Sequence, residues 1–475
     1  MKTIIEPEKE IPVIDEVDVL VAGGGISGVA AAIAAARSGA EVLLVERNGF
    51  LGGVATAGLM ASMGNRFFAD GEKLVVRGIA LEMIEKLVEK GGTAAGWKSP
   101  LVPKIPFDPE IFKLLLLEMV ESENIKLYLH TFVADTIKSG DELEGLILES
   151  KSGREAVLGK IMVDTTGDAD VAAKAGAPFI YEPPGSSSLE FRMGNVDLQR
   201  TYEYIKKNPK GYPSDVDAPR TFEEFEKNWL KNGFFYYPHG GGRKRGSNIS
   251  VLVKKAIRDE AFSTEIGIIT GLDAFGMDGL GWNKTVIINS NFCRINDLDV
   301  REESKAEVEA RKACFYVAEF LKKHVPGFEE AFIIATAPDL GVRFTRRIIG
   351  EHTLSRQEIE RCIKFYDVIG VGSTGFPGRP YEIPYRCIIP KVVENLLVAS
   401  GKSASTQPRG LLRGMTTCII LGQAAGTAAA LAAKNKEKPR NLNVRNLQAS
   451  LLKQGVYLGD EERLRELGLV HMGNN

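Results

Sequence analysis

Three glycines and one acid carry the first recognisable chemistry in this chain. Gly23, Gly25 and Gly28 stand in the run Gly23-Gly24-Gly25-Ile26-Ser27-Gly28, and Glu46 closes the apolar run that follows. Gly23 permits a tight turn. Gly25 removes a side chain where a pyrophosphate must come close to the backbone. Gly28 lets the following helix lie close against a sheet. Ile26 and Ser27 open that helix, whose free N–H groups and partial positive charge suit phosphate oxygens. Glu46 can accept hydrogen bonds from a ribose diol. The chemistry is that of holding a dinucleotide.

The elements needed to position these residues are present around them. Val17 to Ala22 reads as a buried strand, the alanine-rich segment up to Ser38-Gly39 as a helix, and Glu41 to Val45 as a second strand. The spacing predicts helices over 77–90 and 109–122, a strand over 126–132, and an antiparallel meander through 143–150 and 156–163 that leads back into a core strand at 160–164. Residues 1–185 then form the first part of a nucleotide domain. Residues 186–375 change texture, with Phe234-Phe235-Tyr236-Tyr237, Gly240-Gly241-Gly242 and the charged helix 301–324, and read as an inserted α+β substrate domain. On that helix Val308, Cys314, Val317 and Leu321 are the expected core stripe. Residues 376–434 return to the nucleotide domain through a strand at 395–400 and a small-residue helix over about 412–434. Residues 435–475 are a polar tail. The expected class is α/β, a Rossmann-like parallel sheet with a small antiparallel meander and an inserted second domain.

The bulk numbers place few further demands. A chain of 475 residues with 44% hydrophobic and 26% charged residues is ordinary for a globular enzyme. A net charge of −2 gives no reason to expect nucleic acid or an anionic membrane as partner. The charged N-terminus does not read as a signal peptide, and the apolar stretch 418–433 is too short and too rich in Gly and Ala to read as a membrane span. The expected location is the cytoplasm. Five cysteines, at 293, 314, 362, 387 and 418, include no Cys-x-x-Cys, so an iron–sulfur cluster or disulfide framework is not expected. No spacing of His, Asp and Glu suggests a metal site.

Two later segments choose a flavin over a nicotinamide dinucleotide. Val163-Asp164-Thr165-Thr166-Gly167-Asp168 closes a strand with Gly-Asp, a turn that flavoproteins place beside the ribityl or pyrophosphate portion. Gly401 and the loop Gly410–Gly414 open the long C-terminal helix, whose positive end suits the pyrimidine edge of a flavin. Together with Glu46–Thr56, Gly341–Ser355, Tyr381–Pro390 and Asn395–Ala430, these motifs resemble the FAD-dependent oxidoreductases among the glutathione-reductase-like flavoproteins, in their fumarate-reductase-like branch. The resemblance implies that Gly23, Gly25 and Gly28 hold the pyrophosphate and Glu46 the adenosine ribose of a non-covalent FAD. It puts Arg47 near the adenine and Val133 against it through the backbone. Gly52, Gly53, Ala55 and Thr56 line the flavin side, Gly167 and Asp168 the ribityl chain, and Arg413, Gly414 and Thr416 the pyrimidine ring. The flavin subunit of heterodisulfide reductase is a relative, but its cluster cysteines are missing here. Relatives often carry a histidine where this chain has Gln407.

The flavin supplies the redox chemistry, so the protein must supply orientation, charge and a proton. Arginine suits a carboxylate substrate because its planar fork binds two oxygens at once. Arg343, Arg346, Arg347, Arg379, Arg386 and Arg409 are candidates, and Tyr381 and Tyr385 are candidate proton donors. Arg343 and Arg346 have an alternative reading as structural partners of Asp339 or Glu351. His239, on its glycine-rich loop, either faces the flavin or is an exposed loop residue. Gly370-Val371-Gly372-Ser373-Thr374-Gly375 repeats the glycine spelling, but the prolines after it forbid the helix that a second nucleotide site needs. The expected reaction is hydride transfer between a small organic substrate and flavin N5, with an unknown electron donor or acceptor. A flavin-bound subunit, or a flavin enzyme without net redox turnover, is the alternative.

Overall fold

The computed structural model describes residues 2–470 apart from 6, 100–101, 184, 186, 214–218, 220, 239–246, 259–275, 282, 290–294, 297 and 376–377. The opening unit forms as strand Val13–Ala22, helix Ile26–Arg37 and strand Val42–Val45. Lys126–Tyr128 joins outside Val42–Val45, and Gly153–Asp164 lies on the other side of Val13–Ala22, all parallel. The last parallel partner comes from far along the chain, where Leu396–Val398 pairs with Met162–Asp164. The long strand Gly153–Asp164 is shared. Its first half pairs antiparallel with Glu142–Ser150, which pairs in turn with Phe132–Ser139 to complete the meander.

Both faces of this sheet are covered, which explains its unbroken apolar strands. Val19, Val21, Val42 and Leu44 point into the helical layer. Leu20, Ala22, Leu43 and Val45 point into a second core under the meander. The helical layer is led by Met415–Asn435, which packs directly on Ile26–Arg37. By length and composition this helix is apolar enough to cross a bilayer, but 83% of its most apolar window is buried inside the fold.

The inserted region builds a separate five-stranded antiparallel sheet in the order Phe234–Tyr237, Gly276–Leu280, Thr285–Asn289, Phe191–Gly194, Phe332–Thr336. Phe191, Met193, Phe235, Tyr237, Met277, Val286 and Ile288 share a core with the helix Val300–His324. By the two-residue period of a strand, Arg192, Tyr236, Asp278, Ile287 and Asn289 then face the other way. That face meets the nucleotide domain. Arg192 pairs with Asp108 at 2.5 Å, and Phe234 and Ile287 belong to the nucleotide domain's core.

Several sequence expectations are corrected. The strand expected over 126–132 breaks in two, because His130 takes φ 53°. Of the expected stripe Val308 is 55% exposed, while Cys314, Val317 and Leu321 are buried together with Ala306, Ala310 and Ala313. Leu354, Phe365, Ile369 and Val371 pack in the first core, as do Phe234 and Ile287. The repeated glycine spelling at 370–375 lies in a hairpin, Val368–Ser373 against Pro380–Pro384.

Candidate functional site

The carboxyl ends of the parallel strands converge on one edge, where an open α/β sheet binds its ligand. Gly23 takes φ 101°, and a Cβ there would lie 2.6 Å from the Thr165 carbonyl oxygen. A Cβ on Gly28 would lie 1.8 Å from the Gly23 carbonyl oxygen, so only glycine lets the helix start this close to the turn. Gly25 faces away from such crowding: a Cβ there would meet Gly53 Cα at 3.9 Å. The Gly52 N–H donates to Gly24 O at 2.8 Å, and Gly25 bridges to Gly52. Two glycine segments therefore lie side by side and form a cradle without side chains beneath a helix N-terminus.

Glu46 stands beside this cradle, 6% exposed. Its Oε2 accepts from Gly24 N at 2.6 Å and its Oε1 from Asn48 N at 2.8 Å. Burial raises its pKa against the pull of those two N–H donors. A buried acid beside a backbone cradle and a helix N-terminus fits a dinucleotide, with the acid placed for a ribose and the cradle for its phosphates.

Asp168 lies at the next strand end. Its carboxylate accepts from Thr345 Oγ1 at 2.5 Å and Lys402 Nζ at 2.8 Å. Burial opposes its ionisation, but Lys402 and Thr345 prevail and hold its pKa below the usual value. Gly401 lies so close to the helix-opening loop that a Cβ would sit 1.9 Å from Leu412 O. Gly414 caps the long helix and Thr416 is buried in its first turn.

The side chains of several expected site residues have neighbours of their own. The Ser27 hydroxyl turns away from the cradle and lies within reach of the carbonyls of Ala399 and Cys418. Thr56 closes its own loop by donating to Leu51 O at 2.7 Å, and Ala55 is buried. Ile26 packs into the core beside them. Arg47 reaches Asp339 at 2.7 Å. Val133 packs into the core under the meander, paired with Leu148. Arg413 is exposed, its guanidinium 5.2 Å from the Phe344 ring centroid.

The arginine set also sorts itself. Arg346 is tied to Asp170 at 2.8 Å and to Asp168 O at 3.2 Å, so it is a structural ion pair, with a partner other than Asp339 or Glu351. Arg347 donates to Gln407 Oε1 at 2.7 Å, and Arg386 is bound to Asp367. Tyr385 is 1% exposed and donates to Pro439 O at 3.0 Å, so its proton is committed to packing. His352 meets Glu358 at 3.1 Å. His239 lies outside the described residues. Arg343 remains near the buried carboxyl of Glu190, on which its charge acts.

Sequence reasoning missed a charged patch between the two domains. Lys104, on a strand paired with Ser62–Gly64, approaches Asp278 at 3.9 Å across the domain boundary. Glu190, Asp278 and Asn289 are 2%, 5% and 2% exposed. In Leu189-Glu190-Phe191-Arg192-Met193 charged residues alternate with apolar ones, the pattern of a strand with one face toward water, so the sequence carried no sign that this face is closed over.

Residues 18–451 match the family described as FAD dependent oxidoreductase. The chain belongs to this family. FAD is its cofactor, and the cradle, Glu46 and the long helix's N-terminus are the parts that fit it. A thiamine thiazole synthase of Methanococcus vannielii is 27% identical over 209 residues, 40% of this chain and 72% of that protein. A geranylgeranyl bacteriochlorophyll reductase-like protein of Thermoplasma acidophilum is similar at 13% identity and TM-score 0.47, covering 96% of this chain and 86% of its own. L-proline dehydrogenase of P. horikoshii is similar at 12% identity and TM-score 0.44, covering 94% and 100%. Among the described residues no cluster of His, Cys, Asp or Glu could hold a metal ion.

Proposed function

We propose that the protein catalyses hydride transfer between a small organic substrate and flavin N5, with the substrate bound between the nucleotide domain and the inserted sheet. One observation carries this reading. The inserted sheet turns a buried polar face, including the acid Asp278 and the amide Asn289, toward the strand bearing Lys104 and toward Met60, in the segment just beyond Gly52–Thr56. Burying charge at a domain boundary is costly unless it is matched, and enzymes accept that cost where a ligand is to be held.

Bound FAD supplies the two-electron chemistry. The chain's own residues position it. The cradle of Gly23, Gly25 and Gly28 and the helix N-terminus would hold its phosphates, and Glu46 a ribose. The N-terminus at Gly414–Thr416 would offer its positive end to charge arising on the flavin ring. Phe234, Ile287 and Ile105 are buried in one apolar core that spans the boundary. The finer placement in the fumarate-reductase-like branch rests on the motif set, and a cytoplasmic location on the composition.

The test starts from the visible spectrum of the purified protein. Flavin bands that move to the supernatant on acid precipitation establish a non-covalent FAD. Anaerobic mixing with candidate substrates then bleaches those bands if net redox turnover occurs. A substrate converted without any bleaching, with the flavin oxidised throughout, would favour the non-redox alternative and end this reading.

A further inference from the structure

On the buried interdomain face, among the described residues, three acceptors are left without a donor, beside the unpaired hydroxyl of Ser62. Arg192 is spent on Asp108, and the Asn289 amide N–H group lies against Met60 Sδ at 3.8 Å. Lys104 serves Asp278 and lies over the Tyr236 ring at 4.6 Å from its centroid. Among the described residues no group donates to Glu190 Oε1, Asp278 Oδ1 or Asn289 Oδ1. Each of these side chains is more than nine-tenths buried. A buried acceptor without a donor is costly, so three together on one face suit a ligand that brings N–H groups.

Their placement is close. Phe191 pairs with Ile288, so the register continued by one residue sets Glu190 opposite Asn289. Asn289 pairs with Gly276 and Ile287 with Asp278, which puts Asp278 on the diagonal from Asn289 on the same face. Directly opposed side chains stand about 5 Å apart and diagonal ones about 7–8 Å, a span that one small group can bridge.

We propose that Glu190, Asp278 and Asn289 form the recognition wall for a protonated amine carried by the substrate. The inference rests on the redox reading above and names its substrate class. A primary ammonium offers three N–H donors and one positive charge, which matches two carboxyls and a carboxamide oxygen. A carboxylate end, in the sequence-based expectation, would instead be drawn to Arg343. Lys104 acts on both Asp278 and Glu190, and Arg343 on Glu190, so an incoming ammonium shares the two carboxyls with cations already beside them.

The experiment is a titration of the FAD-loaded protein with butylamine, butyrate and 1-butanol, read as a flavin difference spectrum. Butylamine should give a saturable perturbation, and the other two none. Its Kd should rise at least tenfold in Glu190→Gln and about threefold or more in Asn289→Leu, each with full flavin content. Asn289→Leu covers the case in which Glu190→Gln does not fold. Saturable butyrate binding that is lost in Arg343→Ala would overturn the amine inference and leave the redox reading standing. Butylamine binding unchanged in both wall variants, or no response to any of the three ligands, would overturn it as well. The redox reading itself fails separately, in the bleaching experiment.

Discussion

Gly426 lies so close to Ala31 that a Cβ built on it would stand 2.0 Å from the Ala31 carbonyl oxygen. Gly422 repeats the relationship one turn earlier against Ser27 O, at 2.1 Å. The C-terminal helix thus lies backbone to backbone on the helix that opens the dinucleotide fingerprint. Small residues at four-residue spacing on both helices make this possible. The contact fixes the last strand end and the long helix's N-terminus beside the cradle, so the two halves of the cofactor site are held by one crossing.

Gly426→Leu should force these helices apart. Overpacking of this kind costs about 1–3 kcal/mol or more, and the first consequence should be a loss of bound FAD. Thermal denaturation followed by flavin fluorescence checks it: the variant should release flavin well below the wild-type midpoint. Equal release temperatures would show that the crossing does not hold the site.

Glu46→Gln replaces an acceptor for two backbone N–H groups, those of Gly24 and Asn48, by a group with one acceptor atom and one donor. A charged hydrogen bond is worth about 1.5–3 kcal/mol, so the Kd for FAD should rise between about tenfold and a hundredfold. Fluorescence quenching on titration of the apoprotein with FAD measures this directly.

Arg343→Ala and Arg346→Ala should separate. Arg346 holds Asp170 and the Asp168 carbonyl, and its partner is partly solvated, so its loss should cost about 1–2 kcal/mol of stability. The turnover of the flavin-loaded Arg346→Ala fraction should stay within about twofold of wild type. Arg343→Ala should lower kcat/KM of the flavin-loaded fraction and leave the flavin spectrum nearly unchanged. Steady-state kinetics normalised to flavin content, with a melting curve for each variant, would reveal the reverse pattern if the roles were exchanged.

Asp164 gives the fold a pH dependence with a definite sign. Burial pushes its pKa up to about 6, although its carboxylate accepts from the Ala172 and Thr166 N–H groups and from the Thr166 hydroxyl. The folded protein therefore holds a proton that the unfolded chain releases at the lower, ordinary pKa of 3.8. Between roughly pH 4 and 6 the folded state binds more protons, so this residue's contribution to stability falls as pH rises through that window, by about 3 kcal/mol at most. Urea denaturation of wild type and Asp164→Asn at pH 4.5 and 7.5 tests it. The substitution should cost more at pH 4.5, and a cost that is equal or larger at pH 7.5 would contradict the assignment.

The sequence by itself determined the nucleotide-binding unit. Its information is local: a strand of one period, glycines where a turn and a close approach exclude a Cβ, a small-residue helix, and an acid at the next strand end. The same holds for the meander and for the proline-blocked repeat at 370–375, which could only be extended chain. Tertiary structure decided the rest. Ser27 belongs to the glycine motif by spelling, yet its hydroxyl faces Ala399 and Cys418, because the C-terminal segment packs there. Arg346, Arg347 and Arg386 share one chemistry in the sequence and are separated only by which acid or amide the fold brings within reach. The buried wall of Glu190, Asp278 and Asn289 comes from three segments whose strand register sets them on one face. Spacing along the chain records turns and periods. It does not record which face of an inserted sheet will be closed over by another domain, and that closure is what makes these polar groups a site.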